Sequence, residues 1–179
     1  MVYDPPEPFE TERLWLRCPT LADEGAVFDY AGDPVVTRYM GWRTHGAADE
    51  ARRYLERMIA EWDQGPGRCF AIEKREAPDR LIGMIHVHRE AGAIGFGYIL
   101  TRNSWGRGYA SEALRALVDH ALTQADVFRT QAICDVENPA SARVMEKAGM
   151  RFEGILRRRI VHPNVSAEPR DVRLYARVR

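Results

Sequence analysis

An apolar run, Ile94 to Leu100, is followed after a short break by Trp105-Gly106-Arg107-Gly108-Tyr109-Ala110-Ser111-Glu112-Ala113-Leu114. The run has the length of a strand, and the residues after the second glycine have the apolar spacing of an amphipathic helix. A strand that enters a helix through a two-glycine turn is one unit of an α/β layout, which the order of elements along the chain extends. The turn also has chemistry of its own. Glycines at 106 and 108 let backbone N–H groups converge on one point, and a helix start adds free N–H groups and the positive end of its dipole. Such a turn suits a phosphate or pyrophosphate.

A second segment repeats the punctuation. Asn138-Pro139-Ala140-Ser141 opens another helix, with Asn138 as a good N-cap and Pro139 at its first position. Glu146-Lys147-Ala148-Gly149-Met150 closes it, Gly149 having the place of a C′ glycine. Around these two segments, Leu14 and Leu16 indicate a first strand. Thr20 is placed to cap a helix from Leu21 to Ala31. Asp49 to Trp62 is helical by its spacing and is ended by Gly65-Pro66-Gly67. Strand-like runs follow at Cys69–Lys74, Leu81–His88 and Ile94–Leu100. A helix from about Gly108 to Leu122 is succeeded by a strand at Thr130–Val136 and the helix from Pro139. Strands at Phe152–Ile160 and Val172–Val178 finish the chain, joined by a polar loop, Val161–Pro169. The expected fold is α/β in layers, with a mixed, mostly antiparallel twisted sheet of about seven strands and about four helices. Residues 1–9 read as an N-terminal extension and 10–179 as a single domain, with no internal repeat or linker.

Composition narrows the function classes. The 179 residues carry 26 basic and 26 acidic side chains, so no bulk charge favours nucleic acid or an anionic membrane. No apolar run approaches the ~20 residues needed to span a bilayer. The acidic, proline-rich start is unlike a secretory signal, which predicts a cytoplasmic protein. Cys18, Cys69 and Cys134 are too scattered for a metal site or a disulfide framework. All but two of the basic residues, Lys74 and Lys147, are arginine, which reads first as genomic base composition and second as a few arginines placed for bidentate capture of phosphate or acidic groups.

The glycine turn, the Ala-Ser-Glu-Ala-Leu helix start, and Asn138-Pro139-x-Ser141-x-x-Val144-x-Glu146-Lys147-x-Gly149 together resemble the GNAT acyl-CoA N-acyltransferases. Within them the chain is most similar to the RimJ/RimL-type branch, through Glu10-Thr11-Glu12-Arg13-Leu14-Trp15-Leu16-Arg17 and Arg170-Asp171-Val172-Arg173-Leu174-Tyr175 as well. The resemblance implies an acetyl-CoA-dependent N-acetyltransferase. It would move an acetyl group to a primary amine, a protein N-terminus or a small molecule, by direct attack in a ternary complex. It also implies a sheet splayed between the strands Ile94–Leu100 and Thr130–Val136 at the acyl-CoA site. It allows a homodimer and calls for no metal, nucleic acid or membrane. The alternative is a non-catalytic acyl-CoA-binding or regulatory module of the same fold. A P-loop nucleotide binder is disfavoured, because Gly106-x-Gly108 lacks the Gly-Lys-Ser/Thr continuation.

By the same resemblance, Trp105, Gly106, Arg107, Gly108, Tyr109, Ala110 and Ser111 hold the CoA pyrophosphate, although the family's usual Arg or Gln is Trp105 here. Ile99 and Leu100 pair with the pantetheine arm, where a backbone N–H polarises the thioester carbonyl. Asn138 also reaches that arm, and Lys147, like Arg143, approaches the 3′-phosphate or adenine. The tyrosine acid that many relatives carry is Met145 here, leaving Ser141 or water to protonate the departing thiolate. Asp135 is the first candidate for general base. His86 and His88, which share a strand face, and base catalysis through ordered water are the alternatives. Glu112 reads as a carboxylate complementing the helix dipole. Tyr39, Trp42, Trp62 and Trp105 are candidates for lining the acceptor cleft.

Overall fold

Alternating burial builds the sheet. Leu14 and Leu16 of β2 (Leu14–Arg17) are fully buried, whereas Trp15 and Arg17 between them are only partly so. β3 (Gly67–Lys74) is buried on both faces, sending Phe70 and Ile72 to one side and Cys69 and Ala71 to the other. A strand with two apolar faces belongs in the middle of a sheet covered on both sides. The computed structural model describes residues 5–64, 67–90 and 92–179, so the Gly65-Pro66 stop lies outside the described residues. The remaining strands are β1 (Phe9–Glu10), β4 (Ala77–Glu90), β5 (Ala93–Leu100), β6 (Arg129–Asp135), β7 (Arg151–Ile160) and β8 (Arg170–Val178). Among the described residues the sheet therefore has eight strands, in the order β1-β2-β3-β4-β5-β6-β8-β7. The added strand is β1, in which Phe9 pairs with Leu16 and is buried, so residue 9 belongs to the sheet rather than to an extension.

Helices cover both faces. A short 3-10 turn, Leu21–Asp23, leads into α1 (Glu24–Ala31), and with α2 (Ala48–Gln64) it packs on the face carrying Cys69, Ala71, Met84 and Ile99. α3 (Tyr109–Thr123) and α4 (Pro139–Lys147) pack on the opposite face, where Leu114, Leu117 and Met145 are fully buried. Arg17 ties β2 to both neighbours. Its guanidinium holds Asp23 at 2.7 and 2.8 Å and Glu73 at 2.8 Å. No helix among the described residues is long and apolar enough to cross a membrane.

One pairing differs from the rest. β5 and β6 are parallel, joined by the crossover helix α3, and every other neighbouring pair is antiparallel. Their register covers only Ile94–Thr130, Gly95–Gln131 and Phe96–Ala132. Beyond it β5 follows β4 to Leu100, and β6 follows β8 to Asp135. The two strands diverge toward their C-terminal ends and leave a cleft in the sheet where the splay was expected.

Candidate active site

The floor of the cleft is the turn into α3. Gly106 and Gly108 have φ of 73° and 83°, which L side chains rarely adopt. The first helical hydrogen bond runs from Glu112 N–H to Gly108 O, so the N–H groups of Tyr109, Ala110 and Ser111 precede the helical ladder. Gly108 is the N-cap and offers no side chain to take them. A Cβ at Gly106 would meet nothing within 4 Å, and one at Gly108 only the end of Arg13, at 3.4 Å. The space above the turn is thus open. Left-handed glycines, a helix N-terminus and free donors together make a concave anion site that fits a pyrophosphate.

Glu112 locks this turn in place. Its carboxylate accepts from Thr11 Oγ1, Arg13 N and Arg13 Nε, each at 2.7 Å. Burial pushes its pKa up, but those hydrogen bonds outweigh it and hold the carboxylate below its usual range. Arg13 also donates to Arg107 O at 3.1 Å and lies over the Tyr109 ring. The expected dipole-complementing carboxylate therefore also ties α3 to the entry of β2. Trp105 is 45% exposed at the rim, and its indole N–H donates to Leu100 O at 2.9 Å, closing the end of β5.

The cleft wall follows from strand alternation. Thr101 N–H donates to Ile82 O on β4, so the N–H groups of Tyr98 and Leu100 face the opening toward β6. The Ile99 backbone faces β4 instead. On the other wall, Asn138 caps α4, its side chain accepting from Ser141 N–H at 3.1 Å. The helix ends in a Schellman motif: Gly149 N–H donates to Glu146 O and Met150 N–H to Met145 O, with Gly149 at φ 85°. Ser141 meets a residue that sequence reasoning missed. The Tyr98 hydroxyl crosses the cleft to Ser141 Oγ at 2.8 Å and also donates to Ser141 O at 3.0 Å. Burial pushes the Tyr98 pKa well up, so the phenol stays protonated. The signal was available in part: Tyr98 shares its strand face with Phe96 and Leu100, toward α3 and α4. Met145 is fully buried and takes no part.

Asp135 lies at the mouth of the cleft with its oxygens engaged. Arg170 donates to them at 2.6 and 3.1 Å and Glu137 N–H at 2.8 Å. Burial raises its pKa, but these donors more than reverse that, and the carboxylate is held below its ordinary value. Glu137 meets the same Arg170 at 2.9 Å. His162, in the loop after β7, stands 3.5 Å from Asp135 Oδ2 and was not singled out from the sequence.

The other candidates separate by location. Ser141, Asn138, Asp135, Tyr39, Arg143 and Lys147 line one cavity of about 970 Å³, together with the glycine turn. His86 lines a smaller cavity of about 310 Å³ with Trp42 and Tyr54. Burial, with His88 and Arg57, pushes its pKa down to about 4. His86 and His88 do share a face, their rings stacked at 5.2 Å, and His88 bonds Glu90 at 2.8 Å. Trp62 lines neither cavity. It is buried edge-on against Phe70 at 4.8 Å, a core position on a helix whose apolar face sequence spacing alone could not orient.

The family description "Acetyltransferase (GNAT) domain" matches residues 13–151. An uncharacterized N-acetyltransferase, p20, of Bacillus licheniformis is 33% identical over 154 residues, covering 84% of this chain and 86% of its own. The ribosomal-protein-serine acetyltransferase of Escherichia coli (strain K12) is 29% identical over 133 residues, 73% of this chain and 71% of its own. The solved structure of a GNAT-family acetyltransferase from Bacillus anthracis superposes with a TM-score of 0.81 at 28% identity, over 94% of this chain and 96% of that one. A glycine turn opening α3, a cleft between parallel strands and these matches lead to one conclusion: the chain belongs to the GNAT family and is an acetyl-CoA-dependent N-acetyltransferase.

Proposed function

We propose that the enzyme transfers the acetyl group directly to a primary amine, a protein N-terminus or a small-molecule amine, with both substrates bound at once in the cleft between β5 and β6. The observation that carries this reading is convergence. The left-handed glycine turn, the unpaired edge of β5, and the Ser141–Tyr98 pair all line the same cavity.

In this reading the N–H groups from Gly106 to Ser111 bind the pyrophosphate, with Trp105 and Tyr109 flanking it, and Lys147 and Arg143 on α4 meet the outer phosphate. Asn138 and the β5 edge at Tyr98 and Leu100 hold the pantetheine arm; Ile99, expected to share in it, is turned to β4. A Leu100 or Tyr98 N–H polarises the thioester carbonyl as a fixed dipole, and holding the amine beside it supplies most of the remaining acceleration. Ser141 Oγ–H donates the proton that the thiolate takes, with the Tyr98 O–H turned from Ser141 O to Ser141 Oγ to hold that hydroxyl in place. A thiolate is a good leaving group, so the loss of a tyrosine at position 145 is tolerable.

The experiment is acetyl-CoA turnover with a panel of protein N-terminal peptides, amino acids, polyamines and aminoglycosides. Turnover with at least one class is expected. Calorimetric binding of acetyl-CoA without turnover of any amine would favour the non-catalytic acyl-CoA-binding module instead.

A further inference from the structure

We propose that His162 is the general base of this transfer, with Asp135 as its positioning partner. This rests on the N-acetyltransferase reading. His162 lines the same cavity as Ser141 and Asn138 and is 4% exposed. Neither of its ring nitrogens has a hydrogen bond of normal geometry. Buried polar atoms left unpaired are exceptions that ask for a role. The nearest charged atom is Asp135 Oδ2, 3.5 Å from Nε2. Turning Nε2–H toward that carboxylate leaves the Nδ1 lone pair to take a proton.

The ring is held by its loop. Val165 and Ser166 N–H both donate to His162 O, at 2.8 and 2.9 Å. Asn164 clasps this loop to the one before α2, donating to Thr37 O and Trp42 O and accepting from Thr44 N–H. The groups facing the ring come from several elements: Asp135 of β6, Arg170 of β8, and the Tyr39 ring and Met40 backbone from the loop after α1, while Glu137 meets Arg170. Burial lowers the imidazole pKa, Asp135 and the Met40 backbone pull it up, and Arg170 adds to the depression. The net shift is downward from 6.5, so the ring is neutral at pH 7. Asp135 itself is a poor base, its oxygens being occupied by Arg170 and Glu137 N–H.

The amine lone pair attacks the thioester carbonyl carbon and the C–N bond forms. The amine proton passes to the His162 ring, directly or through one water. The C–S bond breaks, the thiolate takes the Ser141 Oγ proton while Oγ takes one back from solvent in the same relay, so that no alkoxide forms, and the imidazolium then releases its proton to solvent. The products are the amide and the free thiol.

The test is the pH dependence of kcat/KM for the acceptor. Protonation of a free α-amino group gives an acid limb of slope one. Wild-type enzyme should steepen to slope two below the His162 pKa, and His162→Gln should stay at slope one. His162→Gln should lose about 100-fold or more in kcat, with acetyl-CoA affinity by calorimetry within two-fold of wild type. Added imidazole should restore part of the rate of His162→Gly. Wild-type kcat in His162→Gln, or a wild-type limb of slope one throughout, overturns the assignment while leaving the transferase reading intact. If His162→Gln fails to fold, His162→Asn carries the same comparison of slope and kcat. A wild-type enzyme that binds acetyl-CoA and turns over no amine removes both readings.

Discussion

At Gly108 the backbone holds φ 83° with open space above it, so any side chain is both strained and in the way. Gly108→Val should cost about 1–2 kcal/mol of stability from the left-handed conformation. It should weaken acetyl-CoA binding ten-fold or more, because the β-branched side chain fills the cradle. Calorimetry on the folded variant checks this, and an unchanged affinity would remove the turn from the cofactor site. Ser141 poses a different question, because its hydroxyl is also part of a hydrogen-bonded pair with Tyr98. Ser141→Ala should lower kcat with little change in the acetyl-CoA KM, the pattern of an interaction made mainly in the transition state. Tyr98→Phe should do the same more weakly. A wild-type kcat in Ser141→Ala, measured where chemistry limits the rate, would show that water protonates the thiolate.

Two loops that are distant in sequence are clasped beside the cavity, on the side the proposed function gives to the acceptor. The loop before α2 and the loop between β7 and β8 meet through the Asn164 side chain, whose three hydrogen bonds span 2.8 to 3.0 Å. Asn164→Ala leaves two carbonyls and one N–H without their partner, at a cost of about 1–3 kcal/mol. Urea denaturation should show that loss. The acceptor KM should rise while the acetyl-CoA KM stays near wild type, because α3 and α4 do not depend on the clasp. Equal loss on both substrates would mean that the clasp supports the sheet rather than one side of the cleft.

Across the whole molecule, stability should fall with pH in two stages. His86 and His162 have folded pKa values below 6.5, so the unfolded chain binds their protons first. Their contribution is complete above pH 6.5 and is lost as pH falls below it. The fall from 6.5 to about 4 at His86 corresponds to at most about 3 kcal/mol. Asp23, Glu112 and Asp135 are also depressed, and their contribution is lost lower, as pH drops below the unfolded carboxylate values near 4. Chemical denaturation from pH 8 to 5 should show the upper stage, and His86→Gln should shrink it. A flat profile over that range would show that His86 is solvated more freely than its surroundings imply.

The sequence by itself determined what depends on near neighbours. Strand and helix periods, the glycines of the α3 turn, the Asn138 cap and the Gly149 Schellman stop are set within a few residues by dihedral sign and by backbone donors that must be satisfied. The family resemblance extended this to the splay between β5 and β6. What only the tertiary structure decided are contacts across long separations. Tyr98 reaches Ser141 across 43 residues, Glu112 reaches Arg13 across 99, and Asn164 reaches Thr37 across 127. Alternation states which face a side chain leaves from, but not which residue of another element waits there. That depends on sheet order, on the short β5–β6 register and on where the loops close. For the same reason Trp62, read as a possible cleft residue, is core, and His162, read only as part of a polar loop, stands beside Asp135.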